Sequence, residues 1–198
     1  MTMKKMNKEL RSADLQNLTA NADKMHISGY AAVFDKPTVL FELRGVKYQE
    51  EIARGAFDGA DFSDCCLKYN HSDSVPVLAR VRGGSLALRA DDKGLYFEAD
   101  LFDTTAARDV YSLIRQGGLD KCSFAFTVSD GSYDPLSHKR TIKKIKKVLD
   151  ISIVDVPAYD DTDVSARSFF EAEAEKLQAL ENEERKKRLE LTLKLDQQ

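Results

Sequence analysis

Histidine is scarce in this chain of 198 residues, at His26, His71 and His138 only, so few groups can shuttle a proton near neutral pH. His71 is the best placed. It follows Cys66-Leu67-Lys68-Tyr69-Asn70 and precedes the turn-like Ser72-Asp73-Ser74, a strand-end setting that can be both fixed and accessible. Ser123 lies early in the apolar run "KCSFAF". If that run alternates as a strand, Ser123, Ala125 and Thr127 share one face, and Cys122, Phe124 and Phe126 the other. Asp150, in "KKVLDISIVDVPAY", is a carboxylate in an otherwise apolar strand. It must be paired or solvated, because burying an unpaired charge is costly. Asp155 has the opposite parity and should face away. Together these residues supply base, nucleophile and orienting carboxylate, in chain order His, Ser, Asp. Taken singly, each has a plainer reading: a surface turn histidine, a tolerated small residue, and a salt bridge to the lysines at 143–147.

Other chemistries are poorly served. Cys65 and Cys66 are adjacent, no Cys-x-x-Cys or His-Glu-x-x-His occurs, and a zinc site is not expected. There is no Gly-x-Ser-x-Gly elbow, which disfavours an α/β-hydrolase, and no phosphate-binding Gly-x-x-x-x-Gly-Lys loop. Cys122 reads as a core thiol, since strand parity turns it from Ser123's face. Lys143, Lys144, Lys146 and Lys147 lack interleaved aromatics; a solvated strand edge guarded by lysines is the simpler reading than a phosphate-binding surface. No cofactor and no metal is expected.

These residues must be positioned by short strands. Runs such as "HISGYAAVF", "VLFELRGVKYQEEIA", "CCLKYNH", "VPVLARV", "SLALRAD", "GLYFEADLF", "CSFAFTV", "KRTIKKI" and "VLDISIVDVP" are separated by Gly, Pro and Asp, the pattern of a β-rich domain. One helix breaks the rhythm over Thr104–Gln116, capped by Thr104 or Thr105, with Ala107, Val110, Tyr111 and Ile114 at helical spacing and a left-handed stop at Gly117-Gly118. Residues 1–24 read as a loose polar arm or a short frayed helix. Residues 25–167 form the domain proper, and 168–198, charge-dense and without Gly or Pro, a long charged helix outside the core. "LELTLKL" at 189–195 alternates like a strand but is kept in that helix.

With 33 acidic and 30 basic residues the net charge is −3, which excludes a generally basic nucleic-acid binder. Three cysteines, an odd number, argue against a disulfide framework and fit a reducing compartment. No apolar run reaches the roughly 18 residues needed to span a bilayer.

The order and spacing of "GYAAVFD", "YQEEIARGAF", "LKYNHS", "VLARV", "GSLALRADDKGLYFEADLFDT", "IRQGGLDKCSFAF" and "VLDISIVDVPAYDDTDVSAR", over Ile27 to Arg167, make the chain resemble the prohead (procapsid maturation) serine proteases of tailed bacteriophages. These form an HK97-like family related to the herpesvirus assemblins. The resemblance implies an α+β, β-rich fold: a mainly antiparallel β-barrel of the assemblin type, with surrounding helices. It implies that His71 is the catalytic histidine and Ser123 the nucleophile. The family often carries Glu in "L-x-E-V-S" where this chain has Leu149-Asp150-Ile151-Ser152, so Asp150 is one methylene shorter in the third role. The implied activity is cleavage of the scaffolding segment of the major capsid protein, and of the protease itself, inside an assembling procapsid in the host bacterial cytoplasm. Capsid protein is then the partner, a homodimer is allowed by analogy with assemblins, and membrane or nucleic acid is not expected. A non-catalytic capsid-assembly scaffold or chaperone on the same fold is the alternative.

Overall fold

The computed structural model describes residues 8–14, 19–21, 25–155 and 159–195. In chain order the strands are β1 (Glu9–Asp14), β2 (Thr19–Asn21), β3 (His26–Val33), β4 (Thr38–Leu43), β5 (Val46–Ile52), β6 (Cys66–Tyr69), β7 (Ala79–Arg80), β8 (Leu86–Ala90), β9 (Gly94–Asp100), β10 (Lys121–Asp134) and β11 (Lys139–Val154). The α-helices are α1 (Thr105–Arg115) and α2 (Tyr159–Leu195). The architecture is α+β and β-rich, as the strand signals require.

The strands form two sheets. One runs β2-β3-β9-β8; the other runs β1-β10-β11-β5-β4, with β6 and then β7 added alongside β11. Pairing is antiparallel except where β11 meets β5 and β6. Among the described residues no ladder closes these sheets into a barrel. One apolar cluster nevertheless draws on both, with Ile27, Leu86, Leu95 and Phe97 from one sheet and Phe124, Phe126, Ile142, Ile145 and Ile151 from the other. In β9 the alternation is direct: Leu95, Phe97 and Ala99 are buried while Glu98 and Asp100 are exposed. Gly94 begins that strand because a Cβ there would lie 2.0 Å from the Ala32 carbonyl oxygen.

α1 aims the chain into β10. Thr104 Oγ1 accepts the Ala107 N–H at 3.2 Å, and Ala107, Val110, Tyr111 and Ile114 face the core. At the other end Gly117 has φ +73°. Its N–H bonds the Ile114 carbonyl at 3.1 Å and Gly118 N–H bonds Leu113 at 2.8 Å, the paired bonds of a Schellman stop. Four residues separate that stop from Ser123.

The extensions differ from expectation. Glu9–Asp14 is a strand on β10 and Thr19–Asn21 a strand on β3, so these parts of 1–24 are neither loose arm nor frayed helix. Residues 1–7 of that arm lie outside the described residues, as do 15–18, 22–24, 156–158 and 196–198. Buried charges hold β1. Arg11 binds Glu50 through Nε at 2.5 Å and Nη2 at 2.7 Å, and binds Glu9 at 2.8 Å. Arg140 binds Glu9 at 2.6 and 2.9 Å and Glu50 at 3.0 Å. The helix expected from 168 begins at Tyr159 and retains the alternating 189–195 stretch. It also joins a core: Phe170 is 3% exposed and packs with Leu40, Phe41, Tyr48, Tyr133 and Phe169. No helix among the described residues is long and apolar enough to cross a membrane.

Candidate active site

Strand register assembles one face. Ser123 stands opposite Ser152 and Ala125 opposite Asp150 across β10 and β11, while Asp150 lies beside Cys66 and Ser152 beside Lys68 across β11 and β6. Register partners project to the same side of a sheet. Cys122, Phe124, Phe126, Ile151 and Ile153, of opposite parity, enter the apolar cluster. The period-two reading of "KCSFAF" therefore places Ser123 and Asp150 on a common face with Cys122 behind it.

His71 reaches that face from the turn after β6. Asn70 and His71 have φ of +51° and +52°, consecutive left-handed residues that persist only where neighbours fix them. Here β11 does so. Asn70 N–H donates to the Ile153 carbonyl at 3.0 Å, Asp155 N–H to Asn70 Oδ1 at 3.2 Å, and His71 N–H to Ser152 Oγ at 3.0 Å. The imidazole then lies with Nδ1 2.5 Å from Asp150 Oδ1 and 3.1 Å from Ser152 Oγ.

Burial pushes the Asp150 carboxyl up, but the hydrogen bond and charge of His71, followed by Lys8 and Lys68, outweigh it and hold it below the ordinary 3.8. An ionised carboxylate only accepts, so Nδ1 carries the proton and Nε2 presents its lone pair. His71 Nε2 and Ser123 Oγ are both buried without a hydrogen-bond partner. The structure thus joins His71 to Asp150 directly and sets Ser123 on their face, with no hydrogen bond between Ser123 and His71. Such bonds are often long before substrate binds and tighten in the reacting complex.

Two site residues escape sequence reasoning. Ser152, fully buried, has the same strand parity as Asp150, a signal that could have found it. Lys8, whose Nζ is 3.6 Å from Asp150 Oδ2, has none, being 142 positions away along the chain. It replaces the lysine run as the cationic partner of Asp150; Lys147 of that run binds Asp61 at 3.0 Å and Asp64 at 3.9 Å. His26 pairs with Asp100 at 2.7 Å on the outer surface, and His138 with the Tyr133 hydroxyl at 3.1 Å; neither has a serine beside it in these bonds. Burial, with Cys66 and Asp150 nearby, pushes the Cys65 thiol up to about 12, so it stays protonated and unreactive. Among the described residues no cluster of His, Cys, Asp or Glu could hold a metal ion.

A β-rich domain carrying a buried His–Asp pair and an adjacent unpartnered serine has the parts of a serine hydrolase. The model of the caudovirus prohead serine protease family matches residues 10–177, and the chain belongs to that family. The structure of the bacteriophage T4 capsid assembly protease, gp21, is similar with a TM-score of 0.53 at 10% identity, over 78% of this chain and 100% of that one, a likeness of fold. No curated protein matches the sequence.

Proposed function

We propose that this chain is an endopeptidase that uses Ser123 as nucleophile, His71 as general base and Asp150 as orienting carboxylate. The observation that carries the reading is the buried 2.5 Å contact of His71 Nδ1 with Asp150, which leaves Nε2 unpartnered on the face of an equally unpartnered Ser123 Oγ. Ser123 Oγ attacks the peptide carbonyl and its proton passes to His71 Nε2. Asp150 favours the imidazolium that forms. His71 then gives the proton to the leaving amine, and water, deprotonated by the same ring, hydrolyses the acyl-enzyme. Backbone N–H groups serve the tetrahedral oxyanion, each worth about 3 kcal/mol. Asp150 fills the role that Glu often has in the family; the close contact with His71 supports the shorter side chain as sufficient.

The substrate is the scaffolding segment of the major capsid protein, and the chain's own ends, within procapsids assembling in the host cytoplasm. Family membership supports this, as does the relative whose described role is capsid assembly. The apolar cluster shared by the two sheets supports a further reading of them as an assemblin-type barrel. Co-expression with the capsid protein tests the function: wild type shortens it and Ser123→Ala leaves it full length. Cleavage that survives Ser123→Ala would refute the assignment.

A further inference from the structure

We infer that Ser152 is a positioning residue that fixes the backbone of His71 and braces the Asp150 carboxylate against its ring; this rests on the triad proposed above. Ser152 Oγ accepts the His71 backbone N–H at 3.0 Å. It also lies 3.2 Å from Asp150 Oδ1 and 3.1 Å from His71 Nδ1. A hydroxyl has one proton and two lone pairs. Because Nδ1 already carries a proton toward Asp150, the Ser152 proton goes to Asp150 Oδ1, and its remaining lone pair faces Nδ1–H. Every bond of the hydroxyl is then consistent with one tautomer, the one that leaves Nε2 free. With the proton on Nε2 instead, Nδ1 would turn its lone pair on the Asp150 carboxylate, so Asp150 sets the tautomer and Ser152 braces the carboxylate that does so.

The backbone bond matters as much. His71 occupies a left-handed conformation, φ +52°, unusual for a non-glycine residue and maintained only by surrounding contacts. Its amide is held by a side chain whose own strand position is opposite Ser123. Ser152 therefore ties the histidine turn to the nucleophile's strand, and displacement of this anchor would move Nε2 relative to Ser123 Oγ. Ser152 itself stays intact: its hydroxyl proton is engaged with Asp150, and the ring nitrogen near it has no lone pair to serve as a base.

The test compares wild type, Ser152→Ala and Ser152→Cys, the latter keeping volume with a weaker donor. A fluorophosphonate reports reaction at Ser123, displacing fluoride, and Ser123→Ala is the blank. Ser152→Ala should be labelled about tenfold more slowly or worse, the rate equivalent of one hydrogen bond to a charged acceptor. The acid limb of its labelling rate should move to higher pH, because Asp150 with one donor fewer binds the imidazolium more strongly. Nitrogen NMR should show His71 as the Nδ1–H form in both proteins, held there by Asp150, so that the slower rate reports a displaced ring and not a changed tautomer. Ser152→Cys should fall between, and carries the same readouts if the alanine variant does not fold. Wild-type rate and acid limb in the folded variants would overturn the inference and leave the triad standing. Labelling that persists in Ser123→Ala would instead overturn the triad.

Discussion

Ser152 and Ser123 are direct cross-strand partners in the β10–β11 ladder, and only Ser152 is bonded to His71 and Asp150. Two serines of the same face thus have separate positions. One hydroxyl is saturated inside the His–Asp contact, and the other is buried without a partner, as is His71 Nε2. The unsaturated one is the proposed nucleophile.

Asp150→Asn should act on rate far more than on stability. The amide puts an N–H where His71 needs an acceptor, and the wrong tautomer costs roughly a thousandfold or more in turnover. Removing the charged acceptor should cost the fold about 1–3 kcal/mol. Cleavage rates and urea midpoints on the same preparation separate these. A large loss of stability with near-normal turnover would mark a structural ion pair.

Acid should destabilise the protein through Asp150 and Glu9. Burial raises Glu9, but Arg140 and Arg11 outweigh it and hold it below 4.5, as His71 and the lysines hold Asp150 below 3.8. A carboxyl lowered in the folded state contributes its full stability above its unfolded value. That contribution is lost as pH falls from there through the folded value. Urea midpoints measured at about pH 6 and about pH 3 should drop less in Asp150→Asn than in wild type. Equal drops would show that Asp150 is not linked to folding.

Glu50→Ala should be among the most damaging substitutions, at about 3–5 kcal/mol, because it leaves Arg11 and Arg140 buried with Glu9 alone. The loss should loosen β1 first, seen as faster amide exchange at Leu10 and Arg11 than in β9. Uniform exchange would indicate that β1 is held by its ladder alone.

Truncation beyond the aromatic anchor separates enzyme from extension. Deleting 176–198 keeps Phe169 and Phe170 in their cluster and should leave peptide hydrolysis intact while lowering incorporation into procapsids. Phe170→Ala, which empties a buried site, should cost stability instead, by about 3–5 kcal/mol. Equal incorporation of the truncated chain would remove any packaging role from the helix.

The residues of the face were legible where strand parity rules. Ser123, Asp150 and the rearward Cys122 follow from period two, and α1 from its cap, spacing and glycine stop. Ser152 has the same parity, but nothing local shows that a distant turn would place His71 over it. β1 was illegible for a different reason. Its inward residues are Glu9 and Arg11, so its pattern is inverted, and the partners that neutralise them, Glu50 and Arg140, are 39 and 131 positions away from Arg11 and Glu9 respectively. Lys8 at Asp150 shares that cause: charge pairing across the fold leaves no periodic trace.

Ser123, activated by His71, is the proposed nucleophile. Intact mass and peptide mapping after fluorophosphonate treatment test it most directly. A single adduct on Ser123 is expected in wild type and none in Ser123→Ala or His71→Ala. An adduct that persists in Ser123→Ala, or that maps to Ser152, would contradict it.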